Sequence, residues 1–245
     1  WSDGGWGLWR DAHETWTMKS LEVKQSGPGR IEIVADGVIE RFNSKQRLTW
    51  TVLGSGDIGV EMTFWPGEGR IPTLPRFGMQ TTLREGFDRL VWLGKGPQET
   101  YWDRQDARVG LCRGTVAEQF FSYIKPQETG NKEAVRWVAL TDAQGRGLLA
   151  VGEPLLSVNA LHAATEDLFA ATQKENFYPY QLPARKTVTL NLDLKQRGLG
   201  GDNSWGAMPH DAFMLWLWPT TYRYRLHVLN GGEDLAALGR TRVDD

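Results

Sequence analysis

Residues 48–64 read LTWTVLGSGDIGVEMTF, and their apolar side chains alternate on both sides of a glycine-rich turn. Every second residue is apolar over residues 48–52 and again over residues 58–64, and the turn occupies residues 54–57. Alternation with a period of two is typical of strands that bury one face. The segment therefore predicts a β-hairpin.

Similar patterns recur along the chain and predict a protein built almost wholly of antiparallel strands. Further hairpins are expected over residues 30–42, with a turn at residues 35–37, over residues 135–151, and over residues 213–228. Only residues 165–172 favour a helix, because Thr165 can cap it and acidic residues follow in the first turn. Residues 214–218 are bulky on both faces, so we expect two packed sheets, a large antiparallel β-sandwich.

Length and composition limit the classes of protein that the chain can represent. With 245 residues and 40% hydrophobic content, residues 1–245 are expected to form one all-β domain. The 28 basic and 30 acidic residues leave a formal charge of -2 without a basic tract, which argues against nucleic acid or an anionic membrane as partner. No apolar stretch is long enough to span a membrane, so a soluble chain is expected.

Three acidic residues are the candidates for catalysis by the chain itself. A glycosidase needs two carboxyl groups across a pocket, and Glu99, Asp103 and Glu128 could supply such a pair. The alternative interpretation is structural. In it, the turn at residues 93–104 is held by an ion pair between Asp103 and Arg104.

The other common kinds of reactive site lack their sequence signatures. Cys112 is the single cysteine, and no histidine has a second histidine or a cysteine at metal-ligand spacing, so no metal site is expected. The chain contains no G-x-S-x-G motif, and no glycine cluster lies between a strand and a long helix, where phosphate-binding loops occur. The four histidines are His13, His162, His210 and His227.

Residues 190–206 read LNLDLKQRGLGGDNSWG and combine a strand with a polar, glycine-rich loop that carries Trp205. Leucines at alternate positions predict the strand, and Gly198, Gly200 and Gly201 are expected to release the loop from ordinary φ restraints. Two interpretations of Trp205 remain open. It is either a platform for a ligand or a side chain that covers the end of a sheet.

Three further blocks of sequence accompany the stretch at residues 190–206. They are WLGKGPQETYWDR at residues 92–104, KPQETGNKEAVRW at 125–137 and NALHAATEDLFAA at 159–171. Together the four blocks resemble the C-terminal domain of the large bacterial β-galactosidases of glycoside hydrolase family two, which also occurs as the small chain of two-subunit β-galactosidases. The similarity extends from residue 74 to residue 228, with the blocks in the family's order.

The resemblance implies a fold and a division of labour. The family domain is a β-supersandwich similar to galactose mutarotase, and the family's catalytic glutamates lie on a separate TIM-barrel domain together with magnesium and sodium sites. The resemblance therefore implies no catalytic residue and no cofactor in this chain, which alone would be inactive. It further implies a β-galactoside such as lactose as substrate, the barrel domain or large subunit as partner, and a homo-oligomer for the full enzyme.

The resemblance also assigns site residues. Trp205 matches the tryptophan of the family's Gly-Gly-Asp-x-Ser-Trp loop, which lines the mouth of the galactoside site. The apolar face of a pyranose stacks on an indole ring, and a tryptophan has few rotamers to freeze on binding. The remaining residues of the loop are expected to shape its backbone; they are Gly200, Gly201, Asp202, Asn203 and Ser204.

At its N-terminus the chain is expected to lack the first strands of the family domain, and the match of residues 1–7 stays open. If those strands are absent, sheet edges should be exposed or completed by another chain. A carbohydrate-binding module and an aldose epimerase remain alternatives. The epimerase would use His162 with Glu128 or Glu166. The single cysteine and the family's habit favour the cytoplasm, with the periplasm left open.

Overall fold

A computed structural model describes residues 6–69, 71–172, 174, 176–203 and 205–241. Strands dominate these ranges, and helix is confined to α1 (Thr165–Thr172) and the single turn α2 (Leu235–Leu238), apart from short 3₁₀ segments. The strands are β1 (Trp16–Gly27), β2 (Arg30–Ile39), β3 (Ser44–Leu53), β4 (Ile58–Trp65), β5 (Arg76–Leu83), β6 (Arg89–Gly96), β7 (Arg108–Thr115), β8 (Lys132–Thr141), β9 (Arg146–Leu161), β10 (Val188–Gln196) and β11 (Thr220–Asn230).

One hydrogen-bonded network of antiparallel strands forms both layers of the fold. Its main path is β1-β2-β3-β4-β11-β9-β8-β6-β7, and β10 pairs with both β9 and β5. The long strand β9 connects the layers, because residues 146–153 pair with β11 whereas residues 157–161 pair with β10. The predicted antiparallel β-sandwich is therefore confirmed.

The core lies between β4 and β11 on one side and β5 and β10 on the other. The ring of Phe77 lies 5.6 Å from that of Tyr222, and the Tyr222 hydroxyl donates a hydrogen bond of 3.2 Å to the Leu192 carbonyl. Leu190 and Leu192 are buried, as the period-two pattern of β10 predicts. Burial of these large side chains is the main favourable contribution to folding.

Two of the predicted hairpins and the predicted helix are confirmed. The strands β3 and β4 pair around residues 54–57, with Trp50 opposite Val60, and β8 and β9 pair around residues 142–145. The helix α1 has the predicted bounds. In each case the local pattern agrees with the tertiary pairing.

The hairpin predicted over residues 30–42 is wrong. The strand β2 is continuous from Arg30 to Ile39, and the turn lies before it, between Gly27 and Arg30. Gly37 serves packing and not a turn, because a Cβ at this position would overlap the ring of Trp16 on β1.

The first strand of the hairpin predicted over residues 213–228 is also wrong. Residues 211–213 form a 3₁₀ turn, and the segment that follows contributes one isolated bridge, between Leu215 and Leu74. The second strand is confirmed as β11, which pairs with β4 and β9.

The core-facing side of the sheet becomes progressively exposed towards β1. Val60 on β4 is buried, and the same row continues through Trp50 and Ile33 to Val23 on β1. Val23 is 64% exposed, and Leu21, two residues earlier on the same strand, is 55% exposed. An apolar edge strand of this kind is normally covered or protected in a stable protein.

Candidate functional site

The segment that connects β10 to β11, residues 197–219, carries Trp205, and we call it the tryptophan loop. The side chain of Trp205 is 93% exposed, the largest exposed fraction among the large hydrophobic residues described. The Oδ1 atom of Asn203 accepts a hydrogen bond of 2.8 Å from the backbone N–H of Trp205. This bond restrains the backbone N–H of Trp205.

The glycines of the tryptophan loop permit close packing and do not provide left-handed conformations before Trp205. None of Gly198, Gly200 and Gly201 has a positive φ, whereas Gly206 has a φ of 90°. A Cβ on Gly201 would overlap the backbone of residues 207 and 208, which cross it. The expectation that these three glycines relax φ is therefore wrong, and close approach of the chain explains Gly201.

An ion pair crosses the tryptophan loop. The Nε2 atom of His210 lies 2.9 Å from both carboxylate oxygens of Asp202. The hydrogen bond and charge of Asp202 raise the pKa of His210 above its ordinary value. The structure thus links the predicted loop residue Asp202 to His210, which the sequence did not single out. Ser204 lies outside the described residues.

A tight turn at residues 101–104 lies next to the tryptophan loop in space. Two backbone hydrogen bonds of 2.9 Å join Tyr101 and Arg104 across this turn. The guanidinium of Arg104 contacts the carboxylate of Glu99 and the hydroxyl of Tyr123. Arg104 therefore belongs to a cluster of side chains that includes Glu99 and Tyr123.

The predicted ion pair between Asp103 and Arg104 is wrong, because Asp103 faces the tryptophan loop. Its Oδ2 atom accepts hydrogen bonds from the backbone N–H groups of Leu199, at 2.7 Å, and Gly200, at 3.1 Å. Carboxylates that accept backbone N–H groups form short, charge-assisted hydrogen bonds. The turn at residues 101–104 therefore connects to the tryptophan loop through Asp103.

Glu99 is surrounded by donors. Its carboxylate accepts hydrogen bonds from Tyr123, from Thr129 at 3.2 Å and from the Gly130 N–H at 2.7 Å, in addition to the contact with Arg104. Burial raises its pKa, but the hydrogen bonds and the positive charge outweigh burial and hold the pKa below its ordinary value. Glu99 is thus a fixed anion that organises the surrounding loops.

A buried charge cluster lies beneath these loops, where one guanidinium faces two carboxyl groups. The Nε atom of Arg76 lies 2.8 Å from Asp193, and its Nη2 atom lies 3.5 Å from Glu128. Glu128 also accepts a hydrogen bond of 3.1 Å from Asn159, and Arg76 donates one of 3.0 Å to Gln196. The three candidate carboxylates Glu99, Asp103 and Glu128 are thus all engaged by structural partners.

Burial changes the protonation of this cluster. It raises the pKa of Asp193 to about 7, with Arg76 opposing the rise and Glu128 and Glu133 adding to it. Burial likewise raises the pKa of Glu128 above its ordinary value. A single positive charge does not fully compensate two carboxylates at this depth.

Sequence reasoning missed Arg76 and Asp193. The alternation on β10 places Asn191 and Asp193 on the face opposite the leucines, where a solvated surface would be expected. That face is covered instead. Asn191 lies opposite Asn159 of β9, and both are buried, in a polar layer under the loops that contain Glu99 and Glu128.

Among the described contacts, none joins His162 to Glu128 or Glu166, the residues that an epimerase would use. The described partners of His162 are the Thr187 carbonyl, 3.1 Å from Nδ1, and Asp88, 3.6 Å from Nε2. Glu166 is exposed on α1, and Glu128 contacts Arg76 and Asn159. An acid and a base for epimerisation would need to face one sugar.

The described residues offer no ready metal site. In that part of the chain, no group of three or more His, Cys, Asp or Glu residues is arranged to hold a metal ion. Likewise, none of the helices described has the length and hydropathy to cross a membrane.

The described residues thus form an all-β sandwich of antiparallel strands, with an exposed tryptophan on the loop between β10 and β11. The family model of the β-galactosidase small chain matches residues 2–228. The chain belongs to the β-galactosidase small-chain family.

Individual relatives agree with this membership. A protein named β-galactosidase from Priestia megaterium is 37% identical over 210 residues, which cover 83% of this chain and 20% of the relative. The chain spans about a fifth of the length of the curated relatives it matches.

The chain also has a limited similarity to two solved structures. One is a GH36 α-galactosidase, AgaB, from Geobacillus stearothermophilus, with a TM-score of 0.44 and 9% identity over 89% of this chain and 28% of that chain. The other is a candidate aldose 1-epimerase from Escherichia coli, with a TM-score of 0.38 and 10% identity over 85% of this chain and 68% of that chain.

Proposed function

We propose that this chain is the C-terminal domain or small subunit of a β-galactosidase, and that it lines the galactoside pocket with Trp205. The observation that carries the proposal is the nearly complete exposure of this indole on a backbone held by Asn203. Among the exposed tryptophans of this loop, Trp205 has the largest free area, since Trp218 is 69% exposed against 93% for Trp205. A pyranose ring would bury its apolar face on the indole and remove that area from water.

The catalytic glutamates are proposed to lie on a TIM-barrel domain outside this chain. The carboxylates of Glu99, Asp103 and Glu128 are engaged by hydrogen bonds or ion pairs within the chain. This supports a separate catalytic domain, since a catalytic pair must face a sugar across an open pocket. The magnesium and sodium ions of the complete enzyme would belong to that same barrel. In this chain the proposed contribution is binding and orientation of the substrate.

A larger assembly is the proposed setting of the chain. The matched part of the chain makes up about a fifth of these relatives, and the apolar row that becomes exposed towards Val23 offers a surface for further polypeptide. We propose the barrel domain or large subunit as partner and a homo-oligomer as the complete enzyme. β-Galactosides such as lactose are the proposed substrates.

Replacement of the exposed indole tests the proposal. We expect Trp205→Ala in the complete enzyme to weaken galactoside binding by about 1–3 kcal/mol, the usual cost of losing a stacking contact. This corresponds to a rise in KM of about 5- to 150-fold, with kcat changed much less, if the contact is equal in ground and transition states. Steady-state kinetics with lactose and a nitrophenyl galactoside measure both constants.

Two further variants sharpen this experiment. Trp205→Phe should retain part of the affinity because it keeps a flat aromatic face, whereas Trp218→Ala removes another exposed tryptophan of the same loop and should leave KM within about twofold. The melting temperature of Trp205→Ala should match that of the wild type, because the side chain packs against little. Unchanged KM and kcat in Trp205→Ala would exclude this residue from the site.

A further inference from the structure

We propose that Asp103 is a positioning residue, whose carboxylate fixes the base of the tryptophan loop and thereby the place of Trp205. The inference rests on the proposed function of Trp205 and adds a residue that reaches the substrate only through the loop. It assigns a role to the turn at residues 101–104, which would otherwise be read as an ordinary surface turn.

The first step of the argument is the geometry at the base of the tryptophan loop. Asp103 Oδ2 bridges two consecutive N–H groups, those of Leu199 and Gly200, at 2.7 and 3.1 Å. Next to this bridge, the Gly198 N–H donates a hydrogen bond of 2.9 Å to the Phe213 carbonyl. This bond joins the part of the loop that leaves β10, which we call the outgoing limb, to the part that leads back to β11, the returning limb. Two bonds to one carboxylate define both the position and the direction of the outgoing limb.

The close fit at this point depends on the glycine. A Cβ on Gly198 would lie 2.9 Å from both Asp103 Oδ2 and the Cβ of Phe213. A side chain would therefore force the carboxylate and the returning limb apart. Gly198 and Asp103 therefore pack closely at the base of the loop, although they are 95 positions apart in the chain. We call this contact the joint.

The second step is that Asp103 projects from a rigid support. Tyr101 is fully buried and pairs with Arg104 across the turn, while the Thr100 N–H donates to the Asn131 carbonyl at 2.8 Å. The Thr100 hydroxyl in turn accepts the backbone N–H of Glu133 at 2.8 Å. A site residue is placed most accurately when the groups behind it are themselves held by packing and hydrogen bonds.

The third step is that Trp102, next to Asp103, contacts both the end of β10, which leads into the loop, and the part of the loop that returns to β11. Lys195, at the end of β10, places its ammonium 3.9 Å from the centre of the Trp102 ring. On the returning limb, Phe213 meets the Trp102 ring edge-to-face at 6.1 Å. These cation–π and aromatic contacts are individually modest, and together with Asp103 they hold the loop at its base.

The loop transmits this restraint to the indole. Beyond Gly200, the backbone of Gly201 packs against residues 207 and 208, and Asn203 binds the N–H of Trp205. If the base of the loop moved, the segment that carries Asn203 and Trp205 would move with it. A shift of about 1 Å at a binding group can cost up to about a hundredfold in a catalysed reaction.

A double-mutant cycle in the complete enzyme tests the inference. We expect Asp103→Ala to raise KM for a nitrophenyl galactoside by about tenfold, with kcat changed less than about twofold. In the Trp205→Ala background the same substitution should have no further effect on KM, because it acts through the indole. Asp103→Asn, which keeps an acceptor oxygen, should recover part of the affinity.

Asp142→Ala is the matched control. Asp142 also accepts two backbone N–H groups, those of Gln144 and Arg146 at 2.9 Å each, in the hairpin turn between β8 and β9. Its removal should lower the melting temperature without changing KM. If Asp103→Ala fails to fold, Gly198→Ala takes its place in the cycle, because it disrupts the same joint from the other side.

The outcomes separate the inference from the proposed function. An unchanged KM in Trp205→Ala would overturn both. A raised KM in Trp205→Ala with an unchanged KM in Asp103→Ala would overturn the positioning role alone. Additive effects of the two substitutions would also overturn it, because they would show that Asp103 acts independently of the indole.

Discussion

No release of nitrophenol from a chromogenic galactoside is expected from the purified, isolated chain. Hydrolysis of a glycosidic bond needs two carboxyl groups, about 5–5.5 Å apart for retention or about 6.5–9.5 Å apart for inversion, with the sugar between them. In this chain Glu99 is saturated by donors, Asp103 binds the tryptophan loop and Glu128 contacts Arg76. Because glycosidases accelerate the reaction by many orders of magnitude, the loss of both catalytic groups leaves no measurable rate.

The assay needs a preparation free of other galactosidases. The chain should be produced in a host that lacks its own β-galactosidase, and the complete enzyme should be assayed in parallel at equal molar concentration. A rate that copurifies with the chain and disappears in Glu99→Gln or Glu128→Gln would contradict the division of labour. It would place a catalytic carboxylate in this chain.

The second large effect concerns the buried charge cluster and the pH dependence of stability. The pKa of Asp193 is raised to about 7 in the folded chain, from an ordinary value near 3.8. The folded state therefore keeps a proton on Asp193 that the unfolded state releases. The contribution of Asp193 to the free energy of unfolding should accordingly fall as pH rises from about 4 to about 7, by about 1.4 kcal/mol per pH unit and about 4 kcal/mol in total.

Asp193→Asn isolates this effect. Asparagine resembles the protonated carboxyl group, so the variant and the wild type should have similar stability near pH 4. Towards pH 8 the variant should become the more stable protein by up to about 4 kcal/mol, although it loses the ion pair with Arg76. Urea denaturation of the isolated chain at several pH values measures the difference.

An aspartate with the opposite shift serves as the control. Asp36 accepts two hydrogen bonds from Arg47, which hold its pKa below the ordinary value. Asp36→Asn should therefore lose stability relative to the wild type at neutral pH and recover it as pH falls through the lowered pKa. A flat difference between Asp193→Asn and the wild type across this range would show that Asp193 is not held protonated.

The parts of the fold that could be predicted from sequence are those in which local pattern and tertiary contact agree. The hairpin of β3 and β4, the hairpin of β8 and β9, and the leucine face of β10 all follow from period-two alternation. The turn predicted at residues 35–37 failed because the small residue Gly37 makes room for an aromatic ring from another strand. A glycine in a sequence is compatible with either a turn or close packing. Only the residue that lies next to it in space distinguishes the two.

The candidate site was predictable only in part. The exposed position of Trp205 lies on the loop that the motif indicated, and its contact with a sugar stays a prediction. The joint with Asp103 was not predictable, since the partners are 96 and 97 positions apart and neither carries a local signature of the other. The partner assigned to Arg104 was wrong for the same reason, because proximity along the chain favoured Asp103 over Glu99.

The sequence by itself determined the hairpins β3–β4 and β8–β9, the strand β10, the helix α1 and the resemblance to the small-chain family, because alternation and motif spacing are properties of neighbouring residues. The tertiary structure decided which polar residues are buried and which loops brace one another. Asp193 has the pattern of a solvent-facing residue and becomes a buried acid because loops from distant parts of the chain cover β10. Burial and long-range hydrogen bonds arise from packing between segments, and that packing leaves no periodic trace in either segment.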